Sequence, residues 1–107
     1  MDAKTLARYE ARARILKALA HPSRLFIVDE LARAGRKNVN KLTEMIGADM
    51  STVSKHLAIL KGVGLVQDEK QGSMVYYRLR VPCVADFFHC VESVMKSNAQ
   101  QQQKLLS

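Results

Sequence analysis

No uncharged run in the 107-residue chain reaches ten residues, so no segment can span a bilayer. The opening stretch, "MDAKTLARYEARAR", is charged throughout and lacks the apolar core of a signal peptide. A cytoplasmic location is therefore expected. Cysteine is nearly missing: Cys83 and Cys90 are the only two, in "PCVADFFHCV". Thiols stay reduced in the cytoplasm, so a structural disulfide is not expected of them. There is no CxxC pair and no oxyanion device. His89 beside Cys90 points about 100° away on a helix, which makes it a poor base for a thiol nucleophile. An enzyme is not expected. Internal repeats and interdomain linkers are also lacking, which leaves one small domain.

Basic residues, in contrast, are in surplus. The formal charge is +7. Residues 1–80 hold 15 Lys/Arg against 8 Asp/Glu, and residues 81–107 hold 2 against 2, so the whole surplus precedes the cysteine segment. A small basic domain points to a polyanionic partner. Hydrophobic residues make up 48%, enough for a core, but so short a chain gains from packing against a second copy.

Periodicity then divides the chain. Leu6, Tyr9, Ala13, Leu16 and Leu19 or Ala20 recur at helical spacing and predict a helix over 3–20. Pro22 restarts a helix that runs to about Ala34, with Leu25, Val28, Leu31 and Ala32 inward, and Gly35 stops it. "RKN" reads as a basic link. "VNKLTEMIG" is a short helix closed by Gly47, and Asp49 caps another that continues through Lys61. Two short helices joined around a Gly form a helix-turn-helix. The period then shortens. "LVQDEK" and "MVYYRLRV" flank "QGS", which predicts two strands and a Gly turn. In the second strand Val75, Tyr77, Leu79 and Val81 share one side. Residues 83–98 return to helix, with Val84, Phe87, Phe88, Val91, Val94 and Met95 as an apolar stripe. The expected fold is mainly α with a β-hairpin wing: a winged helix-turn-helix in the order α-α-α-α-β-β-α. Residues 1–98 form the domain, and 99–107 a polar tail, frayed or disordered.

"DMSTVSKHLAILKGVGLV" is the expected DNA reader. Val53, Leu57 and Leu60 pack inward, which leaves Met50, Ser51, Thr52, Ser54, Lys55 and His56 facing outward. Small hydroxyls and one cation suit a groove floor and a phosphate backbone. Lys70, Gln71 and Ser73 fall at the hairpin tip, with Arg78 and Arg80 on one strand face. Arg36, Lys37 and Lys41 stand at the start of the short helix, beside an anion-favouring helix N-terminus.

"LKALAHPSRLFIVDEL", "STVSKHLAILKGVGLV" and "QGSMVYYRL" occur in order, and over roughly residues 14–95 the chain resembles the ArsR/SmtB family of bacterial transcriptional repressors. The resemblance implies a homodimer joined through the first and last helices. It implies a recognition helix that reads a palindromic double-stranded DNA operator, and release of that DNA when an inducer binds. One departure concerns base readout. Many members have a Gln where this chain has Met50, and Met cannot make the bidentate amide contact to adenine.

The family's sensor sites map poorly onto the chain. Its arsenic-type site needs Cys at the start of the third helix, and "RKNVNKL" has no Cys, His or acid. Its zinc-type site needs an acid and a His two apart and a later His; Asp86 and His89 are three apart and no His follows. No metal ligand set is therefore assigned, and no cofactor. Cys83 and Cys90 remain. On one helix they are separated by about 10 Å of rise, whereas thiolates on one metal sit about 4 Å apart and a disulfide needs Cα atoms within about 7 Å. They could meet if Cys83 bends back from the helix start, or across an antiparallel dimer. Two readings stand: a thiophilic sensor modified by arsenite or a sulfur species, or two small hydrophobes on a helix stripe with Phe87 and Val94. A metabolite pocket lined by Tyr9, Phe87, Phe88 and Met95 is a further expectation, against the alternative that these residues are dimer core. A non-sensing or architectural DNA-binding protein is the competing functional class.

Overall fold

The computed structural model describes residues 1–107. Its elements are α1 (Ala3–Leu19), α2 (Pro22–Ala34), β1 (Lys37–Asn38), α3 (Val39–Ile46), α4 (Met50–Gly62), β2 (Val66–Gln71), β3 (Met74–Leu79) and α5 (Val84–Leu106). No helix is long and apolar enough to cross a membrane.

Local chemistry sets most boundaries. Asp2, Asn38 and Asp49 each accept a backbone N–H with the side chain, from Thr5, Lys41 and Thr52 respectively, at 2.7, 2.7 and 2.8 Å. These bonds satisfy N–H groups that have no partner inside a helix. α3 ends at Gly47, whose φ of 78° is left-handed and is open to glycine at little cost. The β2–β3 hairpin turns at Gly72–Ser73. Gly72 has φ 62°, the positive value that a type II′ turn requires at its first central position.

The core is one cluster. Ile27, Val28 and Leu31 of α2 meet Leu42 of α3, Val53, Leu57 and Leu60 of α4, Val66 of β2 and Leu79 of β3. Both helices of the helix-turn-helix are therefore fixed from behind by the same apolar contacts. The two terminal helices are attached differently. α1 buries only Ala18 and Leu19, and α5 buries no residue at all.

Several expectations are corrected. "RKN" is more than a link: Lys37 and Asn38 pair antiparallel with Tyr77 and Tyr76, so the wing is a three-stranded sheet in the order β1-β3-β2. The Lys37 ammonium also donates to buried Glu30 at 2.8 Å, and Arg33 donates to the same carboxylate. These two cations hold the Glu30 carboxyl well down, at about 2. Ile27 takes the core place expected of Leu25 and Ala32, both of which are exposed. Val81 is exposed as well, because β3 ends at Leu79. α5 does not stop at 98. It continues to Leu106, since nothing between Val84 and Leu106 is Gly or Pro and Gln is a good helix former.

Candidate nucleic-acid interface

α4 has two unlike sides. Val53, Leu57 and Leu60 are 0% exposed and seat the helix. Met50, Ser51, Thr52, Ser54 and Lys55 are exposed along its first turn and a half. The Asp49 cap organises this end. Its carboxylate accepts from Thr52 N–H and from the Ser51 hydroxyl at 2.6 Å, and these bonds hold its pKa down to about 2. Ser51 is thus already committed as a donor and keeps only its acceptor capacity. Ser54 and Lys55 make no side-chain hydrogen bond or ion pair that would compete with a groove.

His56 does not join this surface. It is half-buried, with its ring centroid 4.3 Å from that of His21 at a 41° tilt. Its Nδ1 is buried without a partner. Burial lowers its pKa, and His21 and Arg24 add to that. His21 in turn caps α2, its Nδ1 accepting from Ser23 N–H at 3.0 Å, and Arg24 donates to the Ala18 carbonyl at 2.9 Å. His56 therefore packs α4 against the start of α2, and only part of its ring remains open to solvent. The signal was present: at about 100° per residue, His56 lies about 40° from Leu60, on the edge of the buried arc.

Around α3 the three expected cations separate. Lys41 is exposed and only loosely paired with Glu44, at 3.7 Å. The Arg36 guanidinium lies 4.3 Å above the Tyr76 ring. Lys37 is taken up by Glu30. In the wing, Lys70, Gln71 and Ser73 are exposed at the tip. Arg78 is exposed but held: with the Gln67 amide turned to accept, its oxygen takes bonds from Arg78 at 2.7 and 2.8 Å. That bond presents the guanidinium at a fixed place on the sheet. The wing also carries acid. Asp68 pairs with Lys61 of α4 at 2.9 Å, which ties hairpin to recognition helix.

The sensor candidates lie elsewhere. Cys83 and Cys90 are both exposed, so neither is a core residue of the single chain. Cys83 occupies the first position before α5 with helical angles (φ −67°, ψ −8°), and its carbonyl accepts from Asp86 N–H. It does not bend back, which removes the expected route to pairing within one chain. No three His, Cys, Asp or Glu side chains converge.

A cavity of about 490 Å³ opens between the end of α1 (Leu16, Leu19), α2 (Leu25) and α5 (Phe87, Phe88, Met95). Tyr9, expected there, is one to two turns too early on α1. Its ring lies instead under the Arg12 guanidinium, at 4.9 Å.

Known proteins share the sequence pattern and the fold. Residues 21–68 match the family model described as bacterial regulatory protein, arsR family. Over 75 residues the chain is 39% identical to the transcriptional repressor PagR of Bacillus anthracis, an alignment covering 70% of this chain and 75% of that protein. The solution structure of the homodimeric winged helix-turn-helix domain of Mb0332 from Mycobacterium bovis superposes with a TM-score of 0.79 at 33% identity, covering 94% and 93% of the two chains. NolR from Sinorhizobium fredii gives a TM-score of 0.79 at 26% identity, covering 88% and 93%.

Proposed function

The chain belongs to the arsR family of bacterial regulatory proteins, and we propose that it acts as a homodimeric repressor whose paired recognition helices hold a palindromic operator until an inducer binds. Its family and fold are those of DNA-binding transcriptional regulators and not of enzymes. The observation that carries the reading is the exposed end of α4. Ser54 and Lys55 stand free on a helix whose opposite side is sealed in the core, and Lys41, Lys70, Gln71, Ser73 and Arg78 are exposed as well. Ser54 and Met50 face base edges, and Lys41, Lys55, Lys70 and Arg78 face phosphates. Gln71 and Ser73 reach the backbone from the wing tip.

The terminal helices supply the dimer contact. Phe87, Val91, Val94 and Met95 remain 48%, 42%, 58% and 56% exposed in the single chain, as do Leu6 and Tyr9 of α1 in similar measure. So much uncovered apolar surface on two neighbouring helices is what a partner would bury. Pairing through α1 and α5 supports the two-fold symmetry that a palindrome matches.

The inducer is thiophilic in this reading. Cys83 and Cys90 are exposed on the helix that carries the dimer contact, without any His or acid set to select a hard cation. Across a two-fold near Asp86 or Phe87, Cys83 of one protomer approaches Cys90 of the other. Arsenite or a polysulfide bridging them would shift α5 and respace the recognition helices. Footprinting with the purified dimer tests the first part: a short palindrome is expected, and diffuse protection would support an architectural protein instead. Titrating the complex with arsenite and polysulfide tests the second. Cys83→Ser and Cys90→Ser should keep DNA binding and lose release; release that persists in both variants removes the thiols from the mechanism.

A further inference from the structure

We propose that the cavity between α1, α2 and α5 binds an apolar organic cation, an amine or ammonium compound, with Asp29 and Glu92 as its charge partners. The volume of about 490 Å³ lies in the range of small-molecule sites. Eight of its ten lining residues are apolar, and the other two are both carboxylates: Asp29 from α2 and Glu92 from α5. No Lys, Arg or His lines it. Neither acid is in an ion pair or accepts a side-chain hydrogen bond. In a chain of net charge +7 this wall is a local reversal of sign.

The Glu92 charge is also felt at Asp29. Burial pushes the Asp29 carboxyl up, and the neighbouring Glu92 charge pushes it further. His89 faces Asp29 from α5 with the opposite effect but does not line the cavity. Two like charges on an apolar wall repel, and an ammonium group between them relieves that repulsion. Phe87 and Phe88 present rings 6.4 Å apart and tilted by 59°, which gives a cation with an aromatic body surfaces to lie against. A hard divalent ion needs six or more oxygens and ordered water, which these apolar walls do not supply. A matched organic anion meets two carboxylates and no cation. Phe87, Val91 and Met95 line the cavity and also belong to the proposed dimer contact, so occupancy and pairing draw on the same residues.

The absence of tryptophan makes the test direct, because an indole probe excited beyond the tyrosine band reports only itself. Tryptamine, tryptophol and indole-3-acetate share one apolar body and differ in charge. Their anisotropy is followed on titration with the full chain at neutral pH. Tryptamine should bind tighter than indole-3-acetate by about tenfold or more, the equivalent of about 1.4 kcal/mol, with the alcohol between them. The Asp29→Asn/Glu92→Gln variant should erase the ranking while still binding the alcohol. Ala20→Phe, which fills the cavity from its rim, should weaken all three. Thermal melts by circular dichroism verify that each variant is folded. Equal affinity for amine and acid overturns the proposal, as does a ranking that survives the double variant. Failure of all three probes to bind overturns it too, and is the result expected if a second copy fills the cavity. None of these readouts involves DNA, so the result stands apart from the repressor reading.

Discussion

α4 and α5 are both amphipathic, yet they resolve their apolar sides in opposite ways. α4 buries Val53, Leu57 and Leu60 completely inside its own chain. α5 is 23 residues long and buries none. The first helix has its place set by the monomer core, which also holds its exposed N-terminal end. The second touches the core only through Val84 and Phe88 and leaves the rest of its apolar side uncovered. In the proposed reading, recognition and control are thus separated along the sequence. The charge follows the same division, since the basic surplus ends at residue 80, before α5 begins.

The largest expected effect comes from attacking the two helices alike. Leu57→Ala removes a fully buried side chain and should cost about 2–5 kcal/mol of unfolding free energy. Val91→Ala on α5 should leave the melt of dilute monomer nearly unchanged, and Phe87→Glu should put a charge into the contact and split the dimer. Denaturant melts and sedimentation measure the two quantities. A Val91→Ala chain that unfolds as easily as Leu57→Ala would erase the distinction.

How much of this was legible follows from which interactions leave a local mark. Pro22, Gly35, Gly47 and Asp49 mark helix ends by backbone chemistry, and α2, α3 and α4 begin and end within a residue or two of those signals. β1 left no mark, because two residues have no period; Lys37 is held there by Glu30, seven positions earlier, which only the folded chain brings near. The outward side of α4 was readable except at its edge. His56 looks polar on a wheel but sits beside Leu60, and its partner His21 comes from another helix. The cavity was expected between α1 and α5 with Tyr9 in it. Its third wall, α2 with Asp29, depended on a packing angle that no spacing encodes.

At the reading end, Ser54→Ala should cost about 1–3 kcal/mol at its own base pair if a base contact is lost. Lys55→Ala should weaken every sequence alike and lower the salt slope by about one. Binding measured against a panel of operator variants and salt concentrations separates the two. His56→Ala should instead lower the melting temperature and leave the ranking of operator variants intact. A changed ranking would return His56 to the base-reading set.

Acid should loosen the His56 packing. His56 has a folded pKa below its ordinary 6.5, so the unfolded chain takes up the proton first. The stability it allows is present above 6.5 and is lost as pH falls below that value. Glu30 and Asp49 act later. Their folded pKa values are about 2 against ordinary values of 4.5 and 3.8, so their contributions hold above those ordinary values and drain away toward 2. Melts across this range should show two declines, with His56→Ala removing only the upper one.

The smallest effect is expected where α5 leaves its own apolar stretch. Residues 97–107 are all exposed, with Leu105 and Leu106 at 86% and 82%. The helix persists through them because Gln is compatible with helix and nothing interrupts it, not because tertiary contacts hold it. Truncation after Asn98 should therefore shift monomer stability by no more than about 0.5 kcal/mol. It should leave the dimer intact, because Phe87, Val91, Val94 and Met95 all lie before the cut. Sedimentation of the truncated chain against the full one decides the matter. A dimer weakened by the cut would mean that the tail packs on the partner, and the partner contact on α5 would then extend about three turns beyond its apolar stripe.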